Sequence, residues 1–236
     1  MIYSNADSLI PFDQLGRVNP PYKPTHVFSG DYINEHHQLY ANCPVMHGIL
    51  IDLGIKGWLR RADALKLYEM AYFAEGDILE LGCHHGLSTS VLSTASLDSK
   101  RKKAIVSNDL SEECIQHAEA NLTARNLLQG VKFCQGDSAA VCRHLIRQGR
   151  TFDFIFIDHS HDYTPVLEVC QELRGLLNLG GFCLFHDYND QRNRVAVSEN
   201  GEQTYGVYKG VDQGLSWAKF EFCGCFGCTG MFRAIA

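Results

Sequence analysis

The chain has 236 residues, 45% of them hydrophobic, and a formal net charge of −6 at pH 7, a length that suits one α/β domain with a modest extension around a single core. The acidic balance excludes a nucleic-acid backbone as the main partner, because phosphate contacts need clustered positive charge, and the one basic cluster, Lys100–Lys103, reads as a solvated turn. No apolar run reaches membrane-spanning length and the N-terminus lacks a leader's basic and apolar regions, so no membrane partner and a soluble, cytoplasmic protein are expected.

Residues 1–60 hold five of the six prolines and show no sustained periodicity. They read as an N-terminal arm or cap, with short helical pieces around Tyr32–Tyr40, able to cover a site or join a second copy in a homo-oligomer. The domain proper is expected over residues 61–236. It opens with a helix over Arg61–Ala74, whose Ala64, Leu67, Tyr68, Ala71 and Tyr72 share one face. Ile78, Leu79 and Leu81 then mark a strand covered on both faces, Gly82 and Gly86 a tight turn, and Ser88–Leu92 a helix start. Further strands are predicted at Ala104–Asn108, Val131–Gln135, Phe152–Ile157 and Gly181–His186. Helices alternate with them near Ser111–Arg125, Ser138–Arg147 and Tyr163–Leu177. Ser111 before Glu112 and Glu113 is a capped helix start with acidic residues favourably placed against the dipole. The rhythm predicts a parallel sheet with helices on both faces. Phe220–Phe226 and Gly230–Ile235 close the chain as an antiparallel hairpin around a Gly-Cys-Thr turn. Most of the ten cysteines sit singly in apolar segments as small buried hydrophobes. Cys223, Cys225 and Cys228 have metal-ligand spacing, but their alternation with phenylalanines favours a strand ending in a glycine turn.

The turn after the first buried strand separates cofactor classes. A dinucleotide fingerprint places a glycine where this chain has His84, which obstructs the approach of a pyrophosphate. The pattern that remains, Glu80-x-Gly82-x-x-x-Gly86, resembles the first motif of the class I S-adenosylmethionine (SAM) dependent methyltransferases, and five parallel strands ending in a hairpin resemble their layout over residues 61–236. The resemblance implies a Rossmann-like, mostly parallel seven-stranded sheet with a C-terminal antiparallel hairpin. Ligands of such sheets sit outside the carboxyl ends of the strands. Glu80 and the backbone of Gly82, Cys83, His84 and Gly86 would then face the amino-acid part of SAM, with Ser88 near its carboxylate. Asp109 would accept the ribose hydroxyls, or else cap the following helix. Asp137 and Ser138 offer an adenine contact or a helix cap equally well as chemistry, and the resemblance implies the adenine role.

Two later strands each end in carboxylate and imidazole: Asp158, His159 and His161 after the first, His186 and Asp187 in the second. Adjacent strands would bring Asp158 and Asp187 to one point, where two carboxylates repel unless something positive lies between them. A divalent cation answers this, Mg²⁺ with an oxygen shell or Mn²⁺ with a partly histidine one. The pairing resembles the metal-dependent O-methyltransferases, of both the catechol type and the bacterial sugar and antibiotic group. Ile157-Asp158-His159 matches one ligand strand and Asp187 the next ligand. The family's third ligand, an Asn, is replaced by Tyr188, with His186, Asn189 or Asp190 as substitutes. The family's lysine base falls on His161, an imidazole able to take a hydroxyl proton. The resemblance implies methyl transfer to a hydroxyl of a small-molecule acceptor. A metal-free enzyme using His161 or His186 as base, and a non-catalytic protein of this fold, are the alternatives. Asn19-Pro20-Pro21-Tyr22 spells the NPPY motif of amino-methyltransferases, but no apolar strand precedes it and it reads as a turn. The polar stretch Asp190–Thr204 reads as a loop.

Overall fold

The computed structural model describes residues 32–101, 103–194 and 204–236. The NPPY segment, the first half of the arm with the subunit contact expected of it, and most of the 190–204 loop lie outside the described residues.

Helix α1 (Glu35–Asn42) and a small antiparallel pair, β1 (Val45–Met46) with β2 (Leu50–Ile51), precede α2 (Arg61–Phe73). Then come β3 (Ile78–Leu81), α3 (Leu87–Asp98), β4 (Ile105–Asp109), α4 (Glu112–Thr123), β5 (Val131–Gln135), α5 (Ser138–Arg147), β6 (Phe152–Ile157), α6 (Tyr163–Leu176) and β7 (Leu177–Phe185). Helix α7 (Val207–Gly214) leads into β8 (Phe220–Phe226) and β9 (Thr229–Ala234). The seven-stranded sheet has the order β5-β4-β3-β6-β7-β9-β8; β5, β4, β3, β6 and β7 run parallel, and β9 is antiparallel to β7 and β8. This is the architecture expected of the class I methyltransferase resemblance.

Alternation along the central strands builds two cores. Ile78, Ile105, Phe154, Phe156 and Leu184 pack on one face with Leu67, Ala71, Val91 and Leu92. Leu79, Leu81, Ile155, Ile157 and Phe185 pack on the other with Cys142, Val166, Val169 and Leu173. Both faces are covered, so β3 and β6 read as near-continuous apolar runs.

Three expectations change. Residues 32–60 are less an arm than part of the domain: Tyr40, Cys43, Ile51, Ile55 and Leu59 are buried in the first core, where Tyr40 lies against Tyr68 at 5.5 Å between ring centroids. Strand β7 begins at Leu177 rather than Gly181, directly from the end of α6, with a register irregularity opposite Phe152–Phe154. The hairpin turn is reduced to Gly227 and Cys228, because Phe226 pairs with Thr229. All ten cysteines are free thiols. Cys228 points at a histidine and an aspartate rather than joining Cys223 and Cys225 in a metal set.

A candidate active site at the strand ends

The glycine turn is shaped by its neighbours in the fold. Gly82 has φ +95°, and a Cβ there would stand 2.2 Å from the carbonyl oxygen of Asp158. Its glycine is therefore required by the approach of the β6 end. The N–H groups of Gly82 and Cys83 donate to the carbonyl of Asn108, that of His84 to Asp109 Oδ2 at 2.8 Å, and that of Gly86 to the carbonyl of Cys83. These four amides serve the loop itself, and the N-terminus of α3 is left to offer donors to a ligand. Cys83 is buried against Ile115 and Ala118, and burial raises its thiol pKa.

Glu80, expected to face a cofactor, is fully buried. It shares the inner face of β3 with Ile78 and accepts hydrogen bonds from Ser88 and Thr89 at 2.6 Å and from Ser107 at 2.5 Å. Ser88 is thus turned inward as well. Burial raises the Glu80 pKa from 4.5 to about 7 against the opposing effect of the three hydroxyls. With the folded pKa above the unfolded one, the folded state holds more protons between these values. Stability from this group is full below about pH 4.5, falls as pH rises to about 7, and is level above it. Glu80→Gln should remove a decline of order 3 kcal/mol over that window, read from urea unfolding at a series of pH values; an unchanged slope would contradict the assignment.

Asp109 accepts from His84 N–H and, through Oδ1, from Ser111 N–H at 2.9 Å, while Ser111 caps α4 through Cys114 N–H. Each Asp109 oxygen retains acceptor capacity. The next residue, Leu110, is 72% exposed. Asp137 is exposed and caps α5 by accepting from Ala140 N–H at 2.9 Å; Ser138 is buried and donates to Asn108 Oδ1 at 2.7 Å. The cap expected as the alternative for Asp137 is present, and Ser138 faces inward.

The register of β6 on β7 pairs Ile157 with Phe185, so the residues that follow, Asp158 and His186, emerge side by side. Asp187 adopts φ +56°, an unusual conformation for a side-chain-bearing residue, and turns its carboxylate back to them. His186 Nδ1 lies 3.3 Å from Asp158 Oδ1 and 3.5 Å from Asp187 Oδ2, in hydrogen-bond geometry with neither. Ligand atoms of all three residues fall within 4.8 Å of one another. The expected convergence is therefore present, with an imidazole between the carboxylates. Burial pushes the His186 pKa down, but Asp158, Cys228 and Asp187 prevail and hold it well above the ordinary value; His186 and His161 correspondingly draw Asp187 well below its own against the effect of burial.

His161 Nε2 is 3.0 Å from Asp187 Oδ2, and its ring stacks on Tyr205 at 4.2 Å. Arg192 lies 4.0 Å over the same tyrosine ring and grips Asp190 through Nε and Nη2 at 2.8 and 2.9 Å. Both oxygens of Asp190, expected as one substitute third ligand, are thus engaged by Arg192. Asn189 is buried with no hydrogen-bond partner for Oδ1. His159 turns away to the carbonyl of Pro165 at 3.3 Å. Behind His186, Nε2 meets Cys228 Sγ at 3.3 Å and Asp63 Oδ2 at 3.8 Å; Asp63 accepts from Cys228 N–H, Thr229 Oγ1 and Arg60 N–H. Asp63, Tyr205 and Arg192 escaped the sequence reading. Asp63 stands in the first turn of a helix where a carboxylate is unremarkable, and nothing local marks it.

Two cavities, of about 250 and 300 Å³, lie around Phe73, Asp153 and Phe182 and between Gly48 and Arg61; Asp109, Asp158 and Asp187 line neither. No helix among the described residues is long and apolar enough to cross a membrane.

Residues 79–188, just under half of the chain, match the family described as a methyltransferase domain. Comparison with curated proteins gives no match. The fold is shared with the O-methyltransferase TomG from Streptomyces achromogenes, involved in tomaymycin synthesis and solved with SAM (18% identity, 75% of this chain and 82% of that chain covered, TM-score 0.59). It is shared too with an O-methyltransferase from Bacillus cereus solved with S-adenosylhomocysteine, SAH (16% identity, 73% and 78% covered, TM-score 0.55), and with the SAH-bound methyltransferase PaMTH1 from Podospora anserina (17% identity, 75% and 80% covered, TM-score 0.58).

Proposed function

We infer that this chain, a class I methyltransferase by its fold and by the family match over residues 79–188, uses SAM to methylate a hydroxyl oxygen of a small molecule with the help of a divalent cation. The observation that carries the reading is the gathering of Asp158, His186, Asp187 and His161 at the ends of β6 and β7.

The residues present fit both groups. Asp109 has acceptor capacity for ribose hydroxyls, and the exposed Leu110 beside it supplies apolar surface for a base. SAM supplies a methyl group on a sulfonium. Asp158, Asp187 and the unpartnered Nδ1 of His186 form a mixed oxygen and nitrogen set for a cation, with Asn189 Oδ1 as a further buried acceptor in need of a partner. A cation held there lowers the pKa of a chelated hydroxyl. His161 is placed to take the proton. Asp187 accepts from its Nε2–H, and in a neutral imidazole that tautomer leaves Nδ1 as the base. Tyr205, stacked on the ring, fixes its plane, while Arg192 holds Tyr205 and Asp190 in place.

A metal-free reading is favoured by one observation: His186 already occupies the space between the two carboxylates and can neutralise them as an imidazolium. Chelation separates the two. With a hydroxylated acceptor, EDTA should abolish turnover and Mg²⁺ or Mn²⁺ restore it; turnover indifferent to EDTA would assign the positive charge to His186. Before that, calorimetric titration with SAH should give one-to-one binding in the micromolar range, and absence of binding would remove the methyltransferase reading altogether.

A further inference from the structure

A second cluster of metal-binding side chains lies outside the strand-end site, where the β3–α3 loop meets α4. His84, His85 and Cys114 are partly exposed and present ligand atoms that all fall within 4.8 Å of one another. The loop that carries the two histidines is fastened to the helix that carries the thiol. Asn121 Nδ2 donates to the carbonyl of His85 at 3.0 Å, and Gly86 lies so close that a Cβ would stand 3.1 Å from Ala118. Cys114 itself sits in the capped first turn of α4, its N–H held by Ser111. Residues 114, 117, 118 and 121 follow the helical repeat, so Cys114 and His117 share the face on which the loop lies. The rings continue the row: His84 stacks on His85 at 4.2 Å and His85 on His117 at 4.5 Å.

We propose that His84, His85 and Cys114 form a binding site for a thiophilic divalent metal of the zinc class, which clamps the β3–α3 loop to α4. Two imidazoles and a thiolate suit Zn²⁺ or Co²⁺ and disfavour Mg²⁺, which takes oxygen ligands. A tetrahedral shell with bonds of about 2.0–2.3 Å needs donor atoms about 3.5 Å apart, and the present separations, all within 4.8 Å, lie close to that. Three protein ligands leave the fourth position for solvent or a ligand, and partial exposure gives the ion a path in. Binding would release the Cys114 proton and leave the thiolate on the metal. The site differs in donor chemistry from the strand-end carboxylates and stands independently of the reading given above.

The test is Co²⁺ titration of the chelator-treated full-length protein under reducing conditions, followed by absorption. Thiolate ligation is expected to give a near-ultraviolet charge-transfer band and intense visible bands of tetrahedral Co²⁺, saturating at one ion per chain and bleached by Zn²⁺. The charge-transfer band should vanish in Cys114→Ser and persist in Cys228→Ser, and His85→Ala should weaken binding at least tenfold. Circular dichroism of each metal-free variant checks that it is folded. No thiolate band in the wild-type protein, or a band that survives Cys114→Ser, overturns the proposal; loss in Cys228→Ser alone would move the thiol site to the Asp63, His186 and Cys228 group and overturn it equally.

Discussion

Asp187→Asn is expected to lower methyl transfer by about 10²- to 10⁴-fold, the range for loss of a positioned acid–base or charge-stabilising group, while SAH affinity stays within a few-fold. The substitution is chosen for the backbone. Position 187 adopts φ +56°, a conformation asparagine tolerates as well as aspartate does, so the turn after β7 is preserved. What is lost is the charge facing His186 at 3.5 Å, His161 at 3.0 Å and Arg192 at 3.9 Å. An amide there is a poor cation ligand and no longer fixes the His161 tautomer, so both versions of the chemistry lose rate. The proposed cofactor contacts at the β3 and β4 ends lie on the other side of Asp158 and should be left intact. Steady-state turnover beside SAH calorimetry reads the two effects separately. Turnover within a few-fold of the wild type would remove Asp187 from the reaction.

Gly82→Ala should destabilise the whole domain and disable the site together. Its Cβ would overlap the Asp158 carbonyl group, with the oxygen 2.2 Å and the carbon 2.5 Å away, and would come within 2.7 Å of His159 Cα. These are backbone atoms, so no side chain can swing aside, and φ +95° adds its own strain. Overpacking and strain together amount to about 3 kcal/mol or more, which for a domain of this size lowers the melting temperature by roughly 10 °C. Relief would come from moving the β6 end, and with it Asp158. Gly149→Ala supplies the control: φ is +69°, but nothing lies within 4 Å of the new methyl, so only the left-handed strain of about 1–2 kcal/mol applies. Thermal unfolding of the two variants separates backbone overlap from backbone conformation; equal shifts would show that the contact with Asp158 is immaterial.

Interactions short in sequence were readable without coordinates. The apolar runs of β3 and β6, the bounds of β5 and α5 and the Ser111 cap of α4 follow from local composition, and the alternation of strands with helices dictates a parallel sheet because a parallel pair needs a crossover. Ile157-Asp158 and His186-Asp187 stood out because carboxylates and imidazoles end two strands that the order of elements makes neighbours. For Glu80, expected to face a cofactor, burial beneath Ser88, Thr89 and Ser107 was not legible, because both faces of β3 are covered and parity does not separate them. Other features depend on which distant segments meet. Asp63 joins the site through contacts with Cys228 and Thr229, over 160 residues away, and a lone first-turn carboxylate carries no mark of that. Residues 40–59 lack periodicity because their buried side chains come from a short helix, two-residue strands and the loops between them, and only packing shows it. The seat of His186 between Asp158 and Asp187 rests on the β6–β7 register and on one left-handed residue. The sequence by itself thus determined the layers and which carboxylates and imidazoles end neighbouring strands, because these are set by local periodicity and residue type. The tertiary structure alone decided which donors share a point, because ångström-scale convergence is a property of register and packing among segments far apart in the chain.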